Sequence, residues 1–162
     1  MKSQSVTAEN VRSLIVYDPE TGAMSLISGL GRRTGTKDKY LRITIHGCTF
    51  PVHRLAWLYM TGEWPLHHID HRDRDRRNNK WSNLRQATPA ENSMNQVAHR
   101  DNTSGFKGVT SNPNSKANPW RAYIGRSGGK RYLGSFPTAE QAHEKYLEEA
   151  TRRFGEYARG NK

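Results

Sequence analysis

The sequence predicts an α+β fold, and three features carry that expectation. Short apolar runs separated by turn signals fill the first half, a helix-capping pattern opens near residue 88, and three further short strands precede one long helical pattern. The expected architecture is N-terminal β-hairpins leading into a ββα unit, then a small three-stranded antiparallel sheet packed on one helix. The 162 residues suffice for one medium domain or two small ones, and with 33% of them hydrophobic a single large core is not expected.

Taken in order, residues 1–16 read as a short amphipathic or frayed segment whose Val11, Leu14 and Ile15 dock on the following sheet. Asp18-Pro19-Glu20-Thr21-Gly22 is a turn signal between the runs LIVY and MSLI, which predicts a β-hairpin. The glycine-rich basic stretch 29–38 lacks the GxxxxGK[ST] pattern; it reads equally as a solvated loop or as a phosphate contact through Arg32, Arg33 and Lys37. Residues 40–45 alternate as a strand, His46-Gly47 turns, and residues 49–52 return as its partner. Residues 53–60 form the next helix, with Leu55, Ala56, Leu58 and Tyr59 at helical apolar positions and Trp57 and Trp64 assigned to core packing. Gly62 and Pro65 stop it.

The stretch from Ile69 to Asn92, IDHRDRDRRNNKWSNLRQATPAEN, holds more side-chain chemistry than a solvated loop requires. A strand carrying Asp70 and His71 leads into a loop of alternating charge, then into a short strand at residues 83–85. Thr88-Pro89-Ala90-Glu91 follows as a capping box, so that Asn92 falls in the first turn of a helix. Hydrolysis of a phosphodiester needs a proton acceptor working near neutral pH and positive charge where the leaving oxygen develops. His71 suits the first role, and Asp70 with an asparagine carbonyl suits a hard divalent cation that fills its shell with water and phosphate. Neighbours on a strand point to opposite faces, so joint service by Asp70 and His71 requires a strand end or bulge. Arg72, Arg74, Arg76 and Arg77 either pair with Asp73 and Asp75 or clamp phosphates, while Arg85 is a better candidate for DNA contact.

Residues 99–104 read as a linker. Beyond it, residues 103–135 contain six lysines and arginines and no acid, whereas residues 136–162 carry five acids and five bases. The first part predicts strands at 105–110, 120–126 and 130–136. The second predicts a helix opened by Thr138 and Gln141, with Ala139, Ala142, Tyr146, Ala150 and Phe154 on one face and a stop at Gly155. Packing that face on the sheet leaves the opposite sheet face exposed, basic and interleaved with aromatic residues. Such a face suits a DNA groove.

A formal charge of +11 and a pI near 10.1 imply a polyanionic partner, with nucleic acid the natural candidate. No run approaches the ~18 apolar residues of a membrane span. The single Cys48 excludes an internal disulfide, and no cysteine cluster offers a zinc site. MKSQSVTAENVRS lacks the apolar core of a signal peptide, and the expectation is a soluble cytoplasmic protein.

Asp70 and His71, Asn83 twelve residues after the histidine, Asn92 nine further on, and the NLR at 83–85 resemble the HNH family of ββα-metal nucleases. Within it they are nearest to the phage homing endonucleases whose final His is replaced by Asn. The run VHRLAWLYMTGEWP also resembles what precedes the motif. The resemblance implies Asp70 and Asn92 as ligands of one divalent metal ion, Mg2+ with Mn2+ as a substitute. It further implies His71 as general base, Asn83 as the residue holding the loop and the His orientation, and Asn79 as a second structural asparagine. Where the family often has Asn-Gly this chain has Asp73-Arg74, and His67 and His68 are extra to the motif. GFKGVT, WRAYI and KRYLGSFPTAEQAHEKY resemble the APETALA/ethylene-response-factor (ERF) DNA-binding domain. By position this implies Lys107, Thr110, Trp120, Arg121, Tyr123, Arg126 and Arg131 on the DNA face, of which Arg121, Tyr123 and Arg131 are the firmest. Expected boundaries are 1–98 for the nuclease domain, 99–104 for the linker and 105–157 for the ERF-like domain. The function these imply is a site-recognising endonuclease of phage homing type that nicks or cleaves duplex DNA, nicking as a monomer and making a double-strand break as a dimer or by sequential cuts. A DNA-binding regulator without cleavage is the alternative.

Overall fold

The structure, a computed structural model, describes residues 6–28, 33–34, 40–98, 101–125 and 129–160, with Arg33 and Thr34 described by backbone alone. The phosphate contacts considered for Arg32, Arg33 and Lys37 and the DNA contact of Arg126 therefore lie outside the described side chains. The fold is α+β, with small antiparallel sheets and four helices among the described residues. It divides into two compact units, residues 1–88 and 89–162.

In the first unit, the Thr7 hydroxyl caps α1 (Ala8–Leu14) by accepting from the Asn10 amide. Ile15 leaves the helix directly into β1 (Ile15–Tyr17), which pairs antiparallel with β2 (Met24–Leu26). The predicted turn between them is braced by Asp18, whose carboxylate accepts from the amides of Glu20 and Thr21 and from the Thr21 hydroxyl. Strands β3 (Arg33–Thr34), β4 (Arg42–Ile45) and β5 (Cys48–Pro51) form a second antiparallel sheet. His46 and Gly47 both take positive φ, 47° and 75°, as a two-residue hairpin turn requires.

Pro51 leads straight into α2 (Val52–Thr61), which ends at Gly62 in the left-handed conformation. Val52, Leu55, Ala56 and Leu58 bury the inner face of α2 in one core with Val11, Ile15, Met24, Ile43 and Phe50. Strand β6 (His68–His71) pairs antiparallel with β7 (Leu84–Ala87), and Ile69 and Leu84 join the same core. Asn83, expected to open the second strand, instead closes a 3-10 turn at Trp81–Asn83, and the strand starts one residue later.

The second unit opens with α3 (Pro89–Asn95), which starts at the proline as the capping pattern anticipates. Strands β8 (Val109–Ser111), β9 (Trp120–Ile124) and β10 (Arg131–Phe136) form an antiparallel sheet with β9 in the middle. Helix α4 (Ala139–Phe154) covers one face, its N-terminus capped by the Thr138 hydroxyl accepting from the Gln141 amide. Small residues allow the close approach: Ala122 and Ala142 are wholly buried in one cluster, beside a second of Ile124, Tyr146 and Ala150. Asn102 and Ser104, expected in the linker, hydrogen-bond to the carbonyls of Phe106 and Val109.

Candidate active site

Strand β6 ends at His71, and the side chains of Asp70 and His71 are both buried. The register sets Asp70 opposite Arg85 and His71 opposite Leu84. The two side chains therefore leave the strand on opposite faces. Asp70 meets the guanidinium of Arg85, its Oδ2 accepting from Nε at 3.0 Å and lying 2.9 Å from Nη2. Arg85, expected at the DNA, is instead 5% exposed and neutralises a carboxylate that is 6% exposed.

His71 turns toward Asn79. Its Nε2 lies 3.2 Å from Asn79 Oδ1, and the Asn79 amide nitrogen donates to the Arg77 carbonyl at 3.0 Å. That second bond fixes which end of the amide faces the imidazole: an oxygen, so Nε2 is the protonated nitrogen and Nδ1 the acceptor. Burial lowers the His71 pKa below its ordinary value, although the Asn79 hydrogen bond and the carboxylates of Asp73, Asp70 and Asp75 pull the other way. The imidazole is neutral at pH 7, as a proton acceptor must be.

Asn83, expected both to hold the loop and to orient His71, divides that work with Asn79. Its side chain accepts from the Asp73 amide at 3.0 Å and donates to Asp73 Oδ1 at 2.9 Å and to the Asn78 carbonyl at 2.7 Å. Asn83 holds the loop, and Asn79 makes the described bond to the imidazole. The loop acids are engaged by amides: Asp73 also accepts from the Asp75 amide and from Asn78, and Asp75 accepts from the Arg77 amide. Burial raises the Asp73 carboxyl, but the bonds from Asn78, Asn83 and the Asp75 amide outweigh it and hold it below its usual value. Arg74, where the family often has glycine, adopts φ 69°, the left-handed region that favours glycine.

Two residues the sequence reading did not assign to the site complete it. The ring of His53, in the first turn of α2, lies edge-on 5.2 Å from that of His71, and its Nδ1 is buried without a hydrogen-bond partner among the described residues. Tyr40 lies 4.6 Å from His53 and 5.8 Å from His71, and Arg76 sits over the Tyr40 ring at 5.3 Å. The apolar helical pattern from Val52 onward was the signal available for His53, since a residue in its first turn shares the buried face. His67 and His68 remain exposed.

In the second unit the register sorts the predicted DNA-facing residues. Trp120 packs with Val109 and Ala122 on the α4 side, and Arg131, opposite the buried Ile124, reaches Glu149 of α4 at 3.8 Å. Arg121 and Tyr123 point to the open face with Thr110 and Tyr132. The Lys107 ammonium donates to the carbonyls of Ser93, Met94 and Gln96, capping the end of α3. The open face is therefore less basic than expected: among the described strand residues, Arg121 is its cation.

The donor chemistry fits a hard divalent ion. Among the described residues no three His, Cys, Asp or Glu side chains converge, so a closed zinc-type cage is not what this donor set offers. Asp70, a charge-compensated carboxylate, is an oxygen donor of the kind a hard divalent ion takes, with water and phosphate filling the rest of the shell.

Two outcomes follow for stability. Replacing Arg85 by alanine leaves the buried Asp70 carboxylate without its cation and is expected to cost roughly 3–5 kcal/mol in urea unfolding, whereas an unchanged midpoint would refute the pairing. Burial, with His71, Arg54 and Arg42 nearby, pushes the His53 imidazole down to about 3. The unfolded histidine titrates near 6.5, so the unfolded state takes up more protons between these values, and stability is lost as pH falls below about 6.5. At pH 5 this amounts to about 2 kcal/mol, which His53→Leu is expected to abolish; parallel pH slopes for the two proteins would contradict it.

Residues 50–94 match the family model of the HNH endonucleases. The chain is also 35% identical over 113 residues to an uncharacterized HNH endonuclease of Acanthamoeba polyphaga mimivirus. That alignment covers 68% of this chain and 57% of the viral protein, so the chain spans little more than half the length of its relative. No solved structure matches the chain significantly. With the buried Asp-His strand end, the asparagine-braced loop and the family match falling on the same residues, residues 50–94 carry an HNH endonuclease domain.

Proposed function

We propose that this protein is a divalent-metal-dependent DNA endonuclease of homing type, encoded by a phage or another virus and acting on double-stranded DNA in the host cytoplasm. The observation that carries the reading is His71: a buried neutral imidazole, held through Nε2 by Asn79, next in the chain to the compensated carboxylate of Asp70. His71 Nδ1 takes the proton of a water in line with the scissile phosphorus. By the motif, Asp70 and Asn92 would hold one divalent ion, magnesium with manganese as a substitute. A divalent ion bound there supplies positive charge to the phosphate and to the departing 3′ oxygen. Arg72, Arg74, Arg76 and Arg77 of the same loop grip the backbone on either side of the cut. One such centre cuts one strand, so a monomer nicks, and a double-strand break requires two copies or two successive cuts.

Residues 105–157 are the recognition module in this reading, with the ERF-type sheet lying in a groove. Arg121 and Tyr123 carry the contact and Arg126 extends it. Nuclease boundaries of 1–98 and recognition boundaries of 105–157, joined through 99–104, go with this division.

The test incubates the full chain and His71→Ala with supercoiled DNA carrying candidate target sequence, in magnesium or in chelator. Metal-dependent nicking that falls at least about a hundredfold in the variant is the expected outcome. Tight binding by both proteins with no cleavage in any metal, on a verified target, would replace the nuclease with a DNA-binding regulator. On the same target, Arg121→Ala is expected to weaken binding by about 1–3 kcal/mol in a competition anisotropy assay while Arg131→Ala leaves it nearly unchanged. The reverse order would put the DNA on the other side of the sheet.

A further inference from the structure

Asn79 decides the tautomer of His71, so whatever holds Asn79 bears on the proton acceptor. The hydrogen bonds along the chain around Asn79 explain only part of its immobility. The rest comes from residues more than fifty positions earlier. The Tyr17 hydroxyl donates to the Asn79 carbonyl at 2.7 Å in a buried contact. Two positions on, the Trp81 amide donates to the Pro19 carbonyl at 2.9 Å. Between these bonds the backbone of Gly22, at φ 72°, lies so close that a Cβ there would stand 2.4 Å from both the Asn79 carbonyl carbon and the Lys80 nitrogen.

The hairpin that makes these contacts is itself stiff. Asp18 ties its turn together, through its backbone bonds to Gly22 and Ala23 and its carboxylate bonds to Glu20 and Thr21. The Tyr17 ring packs edge-on against Tyr59 of α2 at 5.7 Å, which anchors the strand to the helix that carries His53. Burial, reinforced by the Asp18 carboxylate, pushes the Tyr17 phenol up to about 12, so the hydroxyl remains a donor throughout the working pH range. A hydroxyl in hydrophobic surroundings would have been served by any acceptor; this one is spent on the peptide whose side chain meets the imidazole.

We infer that Tyr17 is a positioning residue for the cleavage reaction: its bond to the Asn79 carbonyl, with the turn through Gly22 closing against the same peptide, holds the Asn79 amide so that His71 stays protonated on Nε2 and accepts at Nδ1. The inference rests on the endonuclease reading for its catalytic meaning. Its structural half stands apart from it. The N-terminal hairpin then takes part in cleavage by way of Asn79.

The test uses the full chain, metal-free, with imidazole nitrogens labelled with 15N and recorded above the histidine titration range. Wild type is expected to show His71 as one tautomer, protonated on Nε2. Tyr17→Phe, which removes one oxygen and keeps the ring, is expected to give a mixture of tautomers. In magnesium, on target DNA, it is expected to lower kcat roughly ten- to hundredfold with KM little changed. Gly22→Ala presses on the same peptide from the other side with Tyr17 intact and is expected to mix the tautomers as well. A Tyr17→Phe protein that is folded and keeps the single wild-type tautomer overturns the inference, whatever its activity. A rise in KM at constant kcat also overturns it, by making Tyr17 a binding residue. Should wild type cleave nothing while Tyr17→Phe still scrambles the tautomer, the endonuclease reading fails and the positioning of His71 by Tyr17 survives.

Discussion

The hydrogen bond between His71 and Asn79 is the interaction on which the rest of the site depends. A buried imidazole can accept a proton only if it is neutral, and only from the side that its tautomer leaves unprotonated. Burial supplies the first condition, Asn79 the second. Asn79 can do so because its own amide is committed to the Arg77 carbonyl and its peptide to Tyr17 and the Gly22 turn. Asn83 performs a parallel service one turn away, where its side chain closes the loop on Asp73 and Asn78. Two asparagines, each with both ends of the amide occupied, convert an exposed-looking polar loop into a rigid support.

Charge is managed by the same economy. Asp70 and His71 are adjacent in sequence yet lie on opposite faces of β6, so the carboxylate meets Arg85 while the imidazole meets Asn79, His53 and Tyr40. A buried carboxylate without a counter-charge would be costly to keep ionised, and a buried pair is tolerated only when its geometry is good. Arg85 supplies that geometry from the partner strand. In the loop, the carboxylates of Asp73 and Asp75 serve backbone amides and asparagines.

What could be read from the sequence was whatever depends on near neighbours. The Asp70-His71 strand, the turn signals at Asp18 and His46, the helix start at Pro89 and the capping of α4 by Thr138 all follow from spacing and local chemistry, and the structure has each of them. The misreadings arose where the answer lies across the fold. Whether Asn79 or Asn83 reaches His71 is decided by the path of the loop. Arg85 became a partner of Asp70 through strand register, which a loop of a dozen residues does not reveal. Tyr17 lies 62 positions from Asn79, and nothing in LIVYDPETG distinguishes its hydroxyl from one that merely solvates a strand end.

The sheet of the second unit teaches the same point about alternation. A count of six cations and no acids suggested a uniformly basic face, but a strand divides its side chains between two faces, and the irregularity between Tyr132 and Gly134 shifts the division within β10. Arg131 falls beside Glu149, and Lys107 is occupied by three carbonyls at the end of α3. Among the described strand residues, the open side carries Arg121, two tyrosines 5.5 Å apart and hydroxyls. Net charge alone does not say which surface of a protein would receive a polyanion.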